Sequence, residues 1–368
     1  MPGVVDADTH IMEPGSMFEF MSEEQYNRRP VLVRVPSDTL YKGFNAFWLI
    51  DGDIFPKPAG KGGFPLATPT AAEIIQNRNQ DISIGSMEIT DVPDRLKDMD
   101  NLGVDVQIVY PTLFLVCLTQ DAKLEIELCR AYNRFMGKAW AESNNRIRWV
   151  LMPPLRDVDA AIEEMRYGKE HGAVGVFFRG LEVDMSLAEP YFFPIYAEAA
   201  RLNLPISIHT GAGSPTITNV FNYDLSFTFP IIRIQPLMAF RDIVANKVPE
   251  RFPGLRFGFL EAEASWVPYV LHNLGRYFKL IKDDNRKGGI KLFEEYGLYV
   301  ACEADEDVNY LLDYIGEDHM MIGSDYGHND QSFEDNMARV FRGREDVPSP
   351  AIEKILDDNA RAFYALGK

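Results

Sequence analysis

Ala173-Val174-Gly175-Val176-Phe177-Phe178, followed by Arg179-Gly180, is a short apolar run between two stretches of helical periodicity, 158–171 and 188–203. A run that is apolar on both faces reads as a strand covered on both sides, the kind found in parallel sheets sandwiched by helices. The pattern repeats in both directions. Upstream, a helix is expected over 93–102, with Asp91 as its cap, Pro93 in its first turn and Gly103 ending it. A strand at 104–110, a helix at 121–143 and a strand at 147–152 follow, the last stopped by Pro153-Pro154. Downstream come strands at 205–210, 255–260, 298–302 and 320–323. Helices over 230–247, 266–282 and 307–315 separate them, and two more close the chain at 330–342 and 350–366. With the opening Val4-Val5-Asp6-Ala7-Asp8-Thr9-His10 this makes eight strands. Eight βαβ-type units in 368 residues predict an α/β fold, a single-domain (β/α)8 TIM-type barrel spanning 1–368. Residues 14–90 do not fit the alternation. They are rich in turns and aromatics, and read as an insertion over the barrel mouth, a lid or a subunit contact.

Composition narrows the function classes. Fifty-five acids against 37 bases give a net charge of −18, the wrong sign for nucleic acid or an anionic membrane surface. Three cysteines, Cys117, Cys129 and Cys302, form no CxxC pair, so a reducing compartment is expected. There is no secretory leader pattern and no apolar run of spanning length, so the expectation is a cytoplasmic protein. No Gly-x-Gly-x-x-Gly follows a strand, which removes support for a dinucleotide fold.

In barrels of this type the active site forms at the C-terminal ends of the strands. Those ends carry Asp8 and His10, Thr112, Arg179, His209, Glu261 and Glu263, Glu303, and Ser324-Asp325. Asp6, Asp8 and His10 alternate along one strand and share a face. Only six histidines exist. Two fall at strand ends and His328 lies three residues beyond Asp325, whereas His171, His272 and His319 read as structural or solvated. Asp8, His10, His209 and Asp325 would converge at one mouth. Two imidazoles and two carboxylates suit one divalent ion, Zn²⁺ first and Mn²⁺ as the alternative. Asp6, one pair deeper, reads as a support for these ligands. Arg179 is a candidate for gripping a substrate carboxylate, or for a salt bridge to a neighbouring acid. His328 could shuttle protons or orient Asp325, and Glu13 reads as an anchor for its loop.

These motifs resemble the amidohydrolase superfamily, in particular the branch holding aminocarboxymuconate-semialdehyde decarboxylase and gamma-resorcylate decarboxylase. Asp8-Thr9-His10 is similar to the carboxylate-x-His form of that branch's first metal motif. His209 in Ile206-Ser207-Ile208-His209-Thr210 matches its fifth-strand ligand, and Asp325 in Gly323-Ser324-Asp325-Tyr326-Gly327-His328 matches its eighth-strand aspartate. Asn359-Ala360-Arg361-Ala362-Phe363-Tyr364 resembles its closing helix. The likeness runs through the strands and is weakest over 14–90. Two positions depart from the pattern. Arg179 stands where many relatives have a carbamylated lysine, which implies a mononuclear site. Glu261 stands near the place of the decarboxylases' strand-six histidine, and reads either as an acid/base or as an extra ligand.

The resemblance implies a metal-dependent enzyme acting on a small molecule. Decarboxylation of a small aromatic or unsaturated acid is the first expectation, with Asp325, Glu261 and His328 as catalytic candidates. Hydrolysis of an amide, ester or lactone by metal-bound hydroxide is the alternative, and a non-catalytic binding barrel the remote one. A homodimer is expected.

Overall fold

Val, Ile and Phe dominate the short strands because β-branched and aromatic side chains suit a pleated surface packed on both faces. In the computed structural model, which describes residues 3–39, 44, 46–63, 82–226, 229–283, 288–328, 332–334 and 336–367, eight such strands run parallel. They are β1 (Val5–Ile11), β2 (Val106–Pro111), β3 (Ile147–Leu151), β4 (Ala173–Arg179), β5 (Ile206–His209), β6 (Phe257–Leu260), β7 (Leu298–Cys302) and β8 (Met320–Ile322). Their spatial order follows the chain, and pairs such as Ile206 with Phe257 and Val300 with Met320 set the register. Every residue of β1 and β4 is buried.

The barrel closes between β8 and β1 through contacts just beyond β8. Asp325 N–H donates to Asp8 O at 3.0 Å and His10 N–H to Tyr326 O at 2.6 Å. The Asp6 carboxylate accepts from Ser324 N–H at 2.8 Å and from its hydroxyl. Burial pushes the Asp6 carboxyl up to about 7, and its role is the supporting one its depth implied. Two glycines make the approach possible. A Cβ on Gly323 would fall 2.3 Å from Asp8 Cβ, and one on Gly327, where φ is +107°, would fall 2.8 Å from His10 O.

The helices start where the capping residues say. In α1 (Val92–Leu102) the Asp91 side chain accepts from Asp94 N–H, and left-handed Gly103 (φ +70°) ends the helix. In α2 (Ala122–Glu142) Asp121 caps Lys123 and Leu124. Three expected helices are shorter or broken. A hairpin pairing Leu181–Glu182 with Met185–Ser186 precedes the expected 188–203 helix, which is shorter: a 3₁₀ turn over Pro190–Phe192 leads into a helix over Phe193–Leu202. Proline opens both the turn and the helix, which it does more readily than it continues one. The 230–247 helix divides at Arg233 into Phe229–Ile232 and Ile234–Ala245. Of 330–342 the described helix is Met337–Arg342, and residues 330, 331 and 335 lie outside the described residues.

Within 14–90, Val31–Arg34, Ala46–Ile50 and Asp53–Phe55 form an antiparallel sheet, while 64–81 lie outside the described residues. Polar ties join this segment to the loops after β2 and β5. Arg28 bridges Asp51 (2.8 Å) and Asp121 (2.9 Å), Thr119 donates to Asp51 (2.6 Å), and Gly62 N–H donates to Phe221 O (3.0 Å). A cleft of about 460 Å³ lies between them, lined by residues that include Ile54, Phe55, Lys57, Leu118 and Thr218. Among the described residues no helix is long and apolar enough to cross a membrane, and all three cysteines are free.

Candidate metal centre

Alternation along β1 sends Asp8 and His10 to the same side of the strand. The end of β5 adds His209, and the residue after β6 adds Glu261. Asp325 completes the group just past β8. All five are buried. Glu261 and Asp325 hold left-handed backbone (φ +50° and +54°), a region that non-glycine residues populate sparingly and that clusters at functional sites. Arg233 clamps the turn after β6: one guanidinium nitrogen donates to Glu261 O at 3.0 Å and another pairs with Glu263 at 2.8 Å.

The donor set consists of acceptors. His10 Nδ1 donates to Pro111 O and His209 Nδ1 to Thr210 O, each at 3.0 Å. A neutral imidazole carries one N–H, so both Nε2 atoms present lone pairs. Burial, then the neighbouring His328 and His209, drive the His10 pKa well below its usual value and hold it neutral. Its Nε2 has no hydrogen-bond partner. Around it stand Glu261 Oε2 at 3.4 Å, Asp8 Oδ1 at 3.5 Å and Asp325 Oδ1 at 3.5 Å. His209 Nε2 lies 3.3 Å from Asp8 Oδ1 and 3.2 Å from Glu261 Oε2. Atoms bound about 2.1 Å from a shared ion stand about 3.0–3.4 Å apart in octahedral or tetrahedral arrangements. The observed spacings match, and a buried cluster of lone pairs is stabilised by a cation. Asp8, His10, His209 and Glu261 form one group that could hold a metal ion, and His10, Glu261, Asp325 and His328 another.

The surrounding residues fix these donors. His328 stacks on His10 with ring centroids 3.8 Å apart, and Tyr110 on His209 at 4.8 Å. Tyr364, from the closing motif, reaches Tyr110 Oη at 2.6 Å and donates to Ala7 O at 3.0 Å, tying the C-terminal helix to the barrel floor. Glu13 accepts from Thr112 N–H (2.9 Å) and Leu113 N–H (2.8 Å), and burial pushes its carboxyl up to about 8. It is the loop anchor expected of it.

One expected site residue is otherwise engaged. Arg179 is buried against Glu182, Nε at 2.8 Å and Nη2 at 2.6 Å, with Nη1 3.3 Å from Phe114 O. Its fork is closed on a neighbouring acid, so the salt-bridge alternative describes it and the carboxylate-gripping role does not. Arg95 was not anticipated. It is fully buried on α1, donates to Gln107 (2.6 Å), Ser86 O (3.2 Å) and His10 O (3.3 Å), and lies 4.0 Å over the Tyr326 ring. The signal was present in the sequence: Val92, Arg95 and Met99 share the buried face of α1, and an arginine at such a position demands interior partners. Arg233 gave no comparable signal.

A family model described as amidohydrolase matches residues 5–366. Gamma-resorcylate decarboxylase from Rhizobium sp. (strain MTP-10005) is 22% identical over 255 residues, covering 65% of this chain and 77% of its own. Among solved structures, an amidohydrolase from Mycobacterium avium subsp. paratuberculosis K-10 superposes with a TM-score of 0.76 at 18% identity, covering 99% of this chain and 98% of its own. A 5-carboxyvanillate decarboxylase from Novosphingobium aromaticivorans DSM 12444, complexed with manganese and 4-hydroxy-3-methoxy-5-nitrobenzoic acid, gives 0.66 at 14% identity over 99% and 96% of the two chains. These likenesses show the barrel fold, and the end-to-end family match shows more: the chain belongs to the amidohydrolase family.

Proposed function

We propose that this protein is a metal-dependent decarboxylase of a small hydroxylated aromatic acid, and that Asp8, His10, His209 and Asp325 hold its metal ion. The observation that carries the reading is the buried cluster of lone pairs, in which two Nε2 atoms and three carboxylate oxygens meet at 3.2–3.5 Å. The named relatives favour a lyase over a hydrolase. A divalent ion, when bound, would hold and orient a substrate oxygen.

The remaining work falls to side chains. Loss of carbon dioxide from an aromatic carboxylate needs a proton on the carbon that bears the carboxyl group. The C–C bond electrons then restore the aromatic ring as carbon dioxide leaves, so one proton is consumed per turnover. Asp325 stands at the edge of the cluster with His328 Nδ1 2.8 Å from its Oδ1, and His328 Nε2 lies 2.8 Å from Thr112 Oγ1. This chain of groups can supply a proton at the metal's edge and refill it from the loop after β2. The four ligands come from β1, β5 and the loop beyond β8.

The test is carbon dioxide release from a panel of hydroxybenzoates, run beside lactones, amides and esters, with metal content measured on the same preparation. Metal-dependent release from a hydroxybenzoate is expected. Turnover confined to the lactone, amide or ester panel would replace the decarboxylase with a hydrolase. Absence of a stoichiometric metal would remove both.

A further inference from the structure

We infer that Glu261 is itself a metal ligand, in a centre with Asp8, His10 and His209 whose carboxylate oxygens favour a hard ion such as Mn²⁺. The inference rests on the metal-dependent reading above and specifies its ion. Glu261 occupies the position where a proton carrier is expected from the resemblance to decarboxylases, yet its carboxylate is placed like a ligand. Glu261 Oε2 lies 3.2 Å from His209 Nε2 and 3.4 Å from His10 Nε2. Asp8 Oδ1 lies 3.3 and 3.5 Å from the same two atoms. The two oxygens therefore occupy equivalent vertices around the imidazole pair, and an ion that binds one through this geometry meets the other. His10 Nε2, fully buried and without a hydrogen-bond partner, points to that shared centre.

The backbone supports the same conclusion. Glu261 and Glu263 both hold left-handed φ, +50° and +58°, and Arg233 grips the carbonyl of the first and the carboxylate of the second. A turn fixed this firmly suits a ligand, whose position must be set before the ion arrives. Asp8, His10, His209 and Glu261 offer four donor atoms that all lie within 4.8 Å of one another. Carboxylate oxygens are also the donors that suit Mn²⁺. Proton delivery then falls to His328, whose Nδ1 lies 2.8 Å from Asp325 Oδ1, because Glu261 is committed to the ion.

The test uses the full chain stripped with a chelator, in three forms: wild type, Glu261→Gln and Glu261→His. Circular dichroism confirms the fold, and Mn²⁺ and Zn²⁺ binding is followed by equilibrium dialysis with elemental analysis. Wild type is expected to take one Mn²⁺ per chain. Glu261→Gln should weaken Mn²⁺ binding by more than the roughly 100-fold that changes outside the coordination sphere produce, with a smaller effect on Zn²⁺. Glu261→His, which restores a donor but a softer one, should lower the Mn²⁺/Zn²⁺ affinity ratio, and it carries the test if the Gln variant does not fold. Unchanged Mn²⁺ affinity in Glu261→Gln, or an unchanged affinity ratio in Glu261→His, overturns the assignment and leaves the metal centre standing. A wild type that binds neither ion overturns the metal-dependent reading as a whole.

Discussion

Asp325 Oδ1 lies 2.8 Å from His328 Nδ1, while the same imidazole stacks on His10 at 3.8 Å. One ring thus faces a carboxylate at the metal cluster and covers a second ligand. If its work is proton supply, His328→Gln should lower kcat about 100-fold with metal content unchanged. Steady-state kinetics and elemental analysis of one preparation check this. Lost metal with unaltered kcat per bound ion would make His328 a packing group.

His209 contributes one of two imidazole donors, and its Nδ1 is fixed on Thr210 O. His209→Ala removes that donor. Stoichiometric metal and turnover should disappear together, as read by elemental analysis and carbon dioxide release. Retained metal-dependent turnover would mean that the centre lies elsewhere.

Arg179 and Glu182 form a buried pair at 2.6 Å. Removing one partner strands the other charge, so Arg179→Met should cost about 3–5 kcal/mol of stability. A second change, Glu182→Leu, should recover most of that loss. Chemical denaturation of the single and double variants measures both. A single variant as stable as wild type but with a raised KM would return Arg179 to the substrate.

Burial pushes the Glu125 carboxyl from its ordinary 4.5 up to about 7, against a hydrogen bond from Arg156 N–H. A carboxyl raised in the folded state favours folding in its protonated form. Its contribution is complete below about 4.5 and is lost as pH rises toward 7. The span corresponds to about 3 kcal/mol. Glu125→Gln keeps an acceptor for Arg156 and does not ionise, so its melting temperature should fall less than that of wild type between these pH values. Parallel melting curves for the two proteins would refute the assignment.

Gly323 faces Asp8 so closely that a methyl group would lie 2.3 Å from Asp8 Cβ. Gly323→Ala should cost about 1–3 kcal/mol by overpacking and should weaken metal binding as well, because the displaced strand carries a ligand. Thermal melts with and without added Mn²⁺ measure both effects.

Much of this architecture was legible from the chain alone. Eight apolar runs with helical stretches between them specify a barrel because local period and burial agree. Asp8, His10, His209 and Asp325 were recognisable because a barrel brings its strand ends together. Three features were not legible, and each depends on partners distant in sequence. Arg179 reads identically whether it faces a substrate or Glu182, since sequence does not say which way an acid three residues away points. Arg233 acts on the backbone of Glu261, which no side-chain pattern records. The division of the 230–247 helix and the hairpin after β4 follow from prolines and tertiary packing that override helical periodicity.

The barrel seam has a consequence for synthesis. Asp6 and Ser324 are 318 positions apart, and the cluster joins β1 to the segment beyond β8 across the same gap. A growing chain holds its first ligands long before its last one exists. The Asp6–Ser324 pairing therefore marks a chain whose final strand has arrived, and acts as a clasp between the oldest and youngest parts of the barrel.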